Sequence, residues 1–104
     1  MRVVIEDEYL ANLYKNGKSS GKPKFNFDIE NGFIKRVTQI EQLPNTNAVR
    51  ALKSLHFEKL SGKLEGKYSI RVNAAFRIIF RIEKEHNNIR IEIICIEELN
   101  NHYS

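Results

Sequence analysis

Six basic side chains fall between Lys59 and Arg81 (KLSGKLEGKYSIRVNAAFRIIFR): Lys59, Lys63, Lys67, Arg71, Arg77 and Arg81, with Glu65 as the only acid. The segment carries +5 in a chain of net charge +4, so the surplus is local and marks a site for a polyanion. Arginine suits such a site because its planar guanidinium gives phosphate two parallel hydrogen bonds. Groups able to move protons flank the segment. His56 and Glu58 lie two residues apart just before it, in LHFEKL. A carboxylate beside several cations stays ionised, as a general base must. His102 and Tyr103 stand near the end of the sequence, an imidazole for acid–base work and a phenol that can stack on a nucleobase. These groups meet the needs of RNA cleavage: a 2′-hydroxyl is deprotonated to attack its own phosphodiester, cations stabilise the phosphorane, and an acid protonates the leaving 5′-oxygen. That reaction requires no metal or cofactor. The sequence offers no metal triad, phosphate-cradling glycine loop or nucleophile elbow for a competing chemistry. His86, in Glu-His-Asn-Asn, reads as an exposed turn residue.

The elements that position these groups follow from periodicity. Val3 to Ile5 predicts a short strand, and Tyr9, Leu10, Leu13 and Tyr14 recur at helical spacing up to Gly17. Asn16 to Lys24 (NGKSSGKPK) predicts a basic loop. Phe33, Val37, Ile40 and Leu43 form the apolar stripe of a second helix that Pro44-Asn45 ends, and Asn47 to Leu55 suits a short helix on the core. After Leu55 the period becomes two. Tyr68, Ile70 and Val72 alternate with Lys67, Ser69 and Arg71; Phe76, Ile78, Phe80 and Ile82 alternate with Arg77, Ile79 and Arg81.

Turns at Asn73-Ala74-Ala75 and His86-Asn87-Asn88 then give a meander of three antiparallel strands, the last over Ile89 to Ile96. That strand is apolar on both faces near its end, as a central or doubly covered strand is. By parity Arg71, Arg77 and Arg81 share one sheet face, where they converge on a ligand or pair with carboxylates such as Glu83 and Glu92. The fold class is α+β, with N-terminal helices on one face of a small, mainly antiparallel sheet and a basic surface on the other.

A chain of 104 residues has room for one domain, 1–104, since two halves of this size would bury too little surface. The 41% hydrophobic and 29% charged content is ordinary for a globular protein. No apolar run approaches a membrane span, and Glu6-Asp7 comes too early for a signal peptide, so a cytoplasmic location is expected. Cys95 is the single cysteine, which excludes an intrachain disulfide; its neighbours predict a buried, inert thiol.

The run FEKLSGKLEGKYSIRVNAAFRIIFRIE, after two helical segments and before a terminal His-Tyr, resembles the RelE/ParE superfamily of bacterial toxins, most closely its HigB-like branch. The resemblance spans nearly the whole chain and is most specific from Leu55 to Ile82. It implies the RelE-like fold, ribosome-dependent cleavage of mRNA in the A site, and inhibition by a cognate antitoxin, expected to be a helix-turn-helix protein. Position by position, Glu58 falls where the family carries an acid–base His or Glu, with His56 two residues earlier. Ser61 replaces an active-site Lys of some members, leaving Lys59 or Lys63 as substitutes. Arg77 matches the phosphate-binding arginine, and Arg71 a basic residue of some members. His102-Tyr103 resembles the terminal pairs that stack on and help cleave mRNA, with Asn101 where some members have Asp. Glu58, Arg71, Arg77, His102 and Tyr103 are thus the catalytic candidates, and His56, Lys59, Lys63, Lys67 and Arg81 the RNA-binding ones.

The superfamily also includes ParE-like toxins that poison DNA gyrase without cutting anything, and fold alone does not separate the two. A partner has two kinds of surface to cover: Ile79, Ile94 and Ile96 on the basic side of the sheet, or the apolar residues of the N-terminal helices.

Overall fold

Each helix begins on a side chain that takes up an otherwise orphaned backbone N–H. Asp7 accepts from Leu10 at 2.9 Å to open α1 (Glu8–Asn16), and Asn26 accepts from Ile29 at 2.9 Å to open α2 (Phe27–Glu41). Asn45 accepts from Ala48 at 3.0 Å to open α3 (Thr46–Ala51), which passes into a 3-10 turn over Lys53–Leu55. Gly17 ends α1 by taking a φ of 75° and returning its N–H to the Leu13 carbonyl. These elements come from a computed structural model that describes residues 1–85 and 87–101.

The five strands lie in the order β1-β5-β4-β3-β2. The expected meander is present as β3 (Tyr68–Arg71), β4 (Arg77–Glu85) and β5 (Asn88–Asn100), all antiparallel, with the two-residue β2 (Glu58–Lys59) at its edge. The first strand, β1 (Arg2–Ile5), crosses the sheet to pair in parallel with β5, Val3 opposite Ile94 and Ile5 opposite Ile96. This makes β5 a central strand and explains why it is apolar on both faces.

The three helices cover one sheet face. Leu10, Leu13, Ile29, Phe33, Val37, Ile40 and Val49 meet Ile70, Ile78, Phe80, Ile94, Ile96 and Leu99 in one apolar core. Helix α2 sits so close to the end of β3 that a Cβ on Gly32 would lie 2.6 Å from Val72 Cγ1, a separation only glycine permits. Among the described residues no helix is long and apolar enough to cross a membrane.

The surface expected at Ile79, Ile94 and Ile96 is not there. Ile94 and Ile96 belong to the helix-covered face and are buried at 1% and 0% exposure, whereas Ile91 and the buried Cys95 lie on the opposite face. Four apolar residues in a row, Ile93 to Ile96, carry no alternation, so pairing with β1 and β4 decides which of them turn inward. Ile79 does lie on the outer face, but it is sealed between Ser69 and Glu98 on the neighbouring strands. Glu97 is an extra residue in β5, because Ile79 pairs with Glu98 while Phe80 pairs with Ile96. Beyond this bulge the alternation reverses, so Leu99 joins the core and Asn100 turns outward opposite Arg77.

Candidate functional site

On the outer face Arg71 and Arg77 stand directly opposite each other on β3 and β4. Arg77 is 9% exposed, and a buried guanidinium must find acceptors. Its Nε donates to Ser69 Oγ at 2.8 Å, its Nη2 donates to the His56 carbonyl, and the Glu58 carboxylate lies 3.8 Å from Nη2. Nη1 has no hydrogen-bond partner among the described residues. Arg71 is more accessible. Its Nε donates to the Asn73 carbonyl at 3.0 Å, and its Nη1 lies 3.2 Å from His56 Nε2.

His56 connects the two arginines because of its backbone. It adopts φ 48° and ψ 55°, the left-handed region uncommon outside glycine, where it closes the 3-10 turn with an N–H to the Lys53 carbonyl at 3.1 Å. In that conformation its carbonyl reaches Arg77 while its imidazole reaches Arg71. The next residue, Phe57, packs on the core side, with ring centroids 5.3 Å from Tyr68 and 6.0 Å from Phe80, and the Arg50 guanidinium 4.7 Å from the centroid of its own ring. Glu58 then returns to the outer face, in register with Ser69. Across the site, Asn73 Oδ1 accepts from Ala75 and Phe76, both at 2.8 Å, fixing the turn whose carbonyl holds Arg71.

His56, Glu58, Arg71 and Arg77 therefore form one cluster, an arginine pair beside an imidazole and a carboxylate. Lys59 and Lys63, which follow Glu58 in the sequence, are exposed and make no ion pair among the described residues. Arg81, expected to converge with the other two arginines, does not. It pairs with Glu6 at 2.7 Å, Glu83 at 3.0 Å and Glu97 at 3.2 Å, and Lys67 pairs with the other Glu97 oxygen. Glu92 pairs elsewhere, accepting from Thr46 N–H at 2.8 Å and lying 3.9 Å from Lys84. Lys67 and Arg81 are thus neutralised by carboxylates, whereas Arg71 makes no ion pair among the described residues. His102, Tyr103 and the His86 turn position lie outside the described residues.

Sequence reading did not single out Ser69, Phe57 and Asn73, which hold the cluster together. Ser69 was detectable as the one small polar residue on the arginine side of its strand, and Phe57 as an aromatic set between two candidate site residues. Asn73 was read only as a turn former. Among the described residues no three metal-ligating side chains are grouped to hold an ion.

The Arg81 network has a pH signature. Hydrogen bonds from Arg81 hold the Glu6 carboxyl below the usual carboxylate range, and Glu97 pushes Lys67 up. A depressed carboxyl contributes stability that is present above its unfolded value and lost as pH falls through its folded value; a raised lysine contributes stability lost only at strongly alkaline pH. Glu6→Gln is therefore expected to melt below wild type at pH 7, with the gap closing as pH falls below the usual carboxylate range. Thermal unfolding from neutral to acid pH checks this, and a gap that does not narrow in acid contradicts it. Cys95 lies buried beside this network, and its burial pushes the thiol up.

The comparisons agree with this architecture. A model of the family described as "RelE-like toxin of type II toxin-antitoxin system HigB" matches residues 4–93, from β1 into β5. An uncharacterized protein of Haemophilus influenzae is 31% identical over 89 residues, covering 85% of this chain and 86% of its own. Among solved structures, the YoeB/ParE toxin from Agrobacterium tumefaciens superposes with a TM-score of 0.57 at 16% identity, covering 99% of this chain and 100% of that one. YafQ from E. coli superposes with a TM-score of 0.57 at 10% identity, covering 98% and 94%. At these identities the structural likeness speaks for the fold alone; the family match speaks for more. The chain belongs to the HigB-like family of RelE-like toxins of type II toxin–antitoxin systems.

Proposed function

We propose that this toxin cuts mRNA on the ribosome, acting as a single domain (1–104) in the cytoplasm and restrained by a cognate antitoxin of the helix-turn-helix type. One observation carries the reading: His56, Glu58, Arg71 and Arg77 meet at one end of the sheet. Arg71 and Arg77 hold the scissile phosphate and stabilise the phosphorane. Glu58 or His102 takes the proton of the 2′-hydroxyl, and the imidazole returns one to the 5′-oxygen. Asn100 stands opposite Arg77, and His102 follows it by two residues in the sequence. Tyr103 stacks on a base. His56, Lys59 and Lys63 contact the RNA backbone, and Lys67 and Arg81 join them by exchanging carboxylate for phosphate. The toxin needs no cofactor. The HigB-like assignment favours this over a ParE-like gyrase poison.

The test supplies purified toxin with ribosomes programmed by a defined message. Cleavage is expected only with the ribosome present, leaving a 2′,3′-cyclic phosphate, and a 2′-deoxy nucleotide at the scissile position should block it. A message left intact while growth arrests, or gyrase-dependent DNA breaks, overturns the proposal.

A further inference from the structure

A groove of about 450 Å³ opens between the end of α1, the 17–26 loop and the start of α2, on the helical layer. Leu13, Phe25, Phe27 and Ile34 are among its walls, and Lys18 and Lys22 stand with them. Phe27 is 76% exposed, against 44% for Ile91. Helix capping does not require this exposure, because the Asn26 side chain supplies the cap. From Tyr9 to Phe27 the chain carries Lys15, Lys18, Lys22 and Lys24 and no acid. Glu30, in the groove wall, accepts a hydrogen bond from Tyr9, and Lys18 and Lys22 make no ion pair among the described residues.

An apolar wall beside unneutralised lysines calls for apolar side chains carried among carboxylates. A second copy of this chain would set the same lysines against each other. Nucleic acid would use the lysines and one aromatic ring, but it has no use for a concave wall of Leu13 and Ile34. In a type II toxin–antitoxin system the protein partner is the antitoxin. We propose that the groove receives an acidic, amphipathic segment of the cognate antitoxin, whose apolar side chains cover Phe27 and whose carboxylates meet Lys18 and Lys22. The inference rests on the toxin–antitoxin reading and is independent of RNA cleavage.

The test measures, by calorimetry, the affinity of the antitoxin encoded beside this gene for the full-length toxin. Phe27→Glu is expected to weaken binding about 10–100-fold, and Phe27→Leu to keep it near wild type. Reversing both lysines (Lys18→Glu with Lys22→Glu) should weaken binding and flatten its salt dependence. Lys18, Lys22 and Phe27 are all exposed, and the lysine variant keeps the test decisive if Phe27→Glu folds poorly. Wild-type affinity in both charged variants overturns the groove alone. Retained antitoxin affinity with lost ribosome binding assigns the groove to RNA and also overturns it. A wild-type chain that binds no such protein overturns the toxin–antitoxin pairing itself.

Discussion

Arg71→Ala is expected to lower cleavage of ribosome-bound message by about 10²–10³-fold, the loss that follows removal of one preorganised donor to a charged transition state. Its melting temperature should barely move. The groups Arg71 contacts, the Asn73 carbonyl and the His56 imidazole, sit on exposed residues, and water replaces the lost donor. Arg77→Ala should differ in kind. Arg77 is largely buried, and its removal strands Ser69 Oγ, which has no solvent access, together with the His56 carbonyl. An unsatisfied buried polar group costs about 1–3 kcal/mol, and each kcal/mol lowers the melting point of a domain this size by roughly 4–8 °C. Activity and stability should therefore fall together at Arg77 and separate at Arg71. Single-turnover cleavage alongside thermal unfolding distinguishes them; wild-type cleavage by folded Arg71→Ala would remove that arginine from the site.

The second large effect is expected at a residue with no chemistry of its own. Phe57→Ala should cost about 2–4 kcal/mol, from lost burial and two aromatic contacts. At a temperature where the variant is still folded, it should also lose about 10²-fold in cleavage, because small displacements of catalytic groups carry penalties of that order. Phe57 is the anchor between His56 and Glu58; without it the two-residue β2 has little to hold its register. Phe57→Leu should recover most of the stability and part of the rate. If Phe57→Ala cleaves normally below its melting range, the His56–Glu58 segment is positioned by other contacts.

What sequence made legible was local. Period-two alternation gave the meander, and parity put Arg71 and Arg77 on one sheet face, where the structure sets them opposite each other. Of the two carboxylates named as alternative arginine partners, Glu83 does pair with Arg81. The remainder depended on pairings between distant residues. Arg81 is neutralised by Glu6, 75 positions away, and by Glu97, whose placement follows from a bulge that no composition signal marks. Glu92, the other expected partner, turns to Thr46 and Lys84 because its register on β5 was misjudged along with Ile94 and Ile96. The left-handed backbone of His56 was equally invisible, since histidine does not announce a positive φ as glycine does.

The pairing of β1 with β5 imposes an order on the making of this protein. Val3 leaves the ribosome early and waits for Ile94, so a loop of about 90 residues must close before the sheet is complete. Such closure costs little extra free energy but delays folding. The same late strand brings Asn100 to Arg77, so the arginine site is finished last as well. Until β5 is in place, nothing joins β1 to the rest of the sheet.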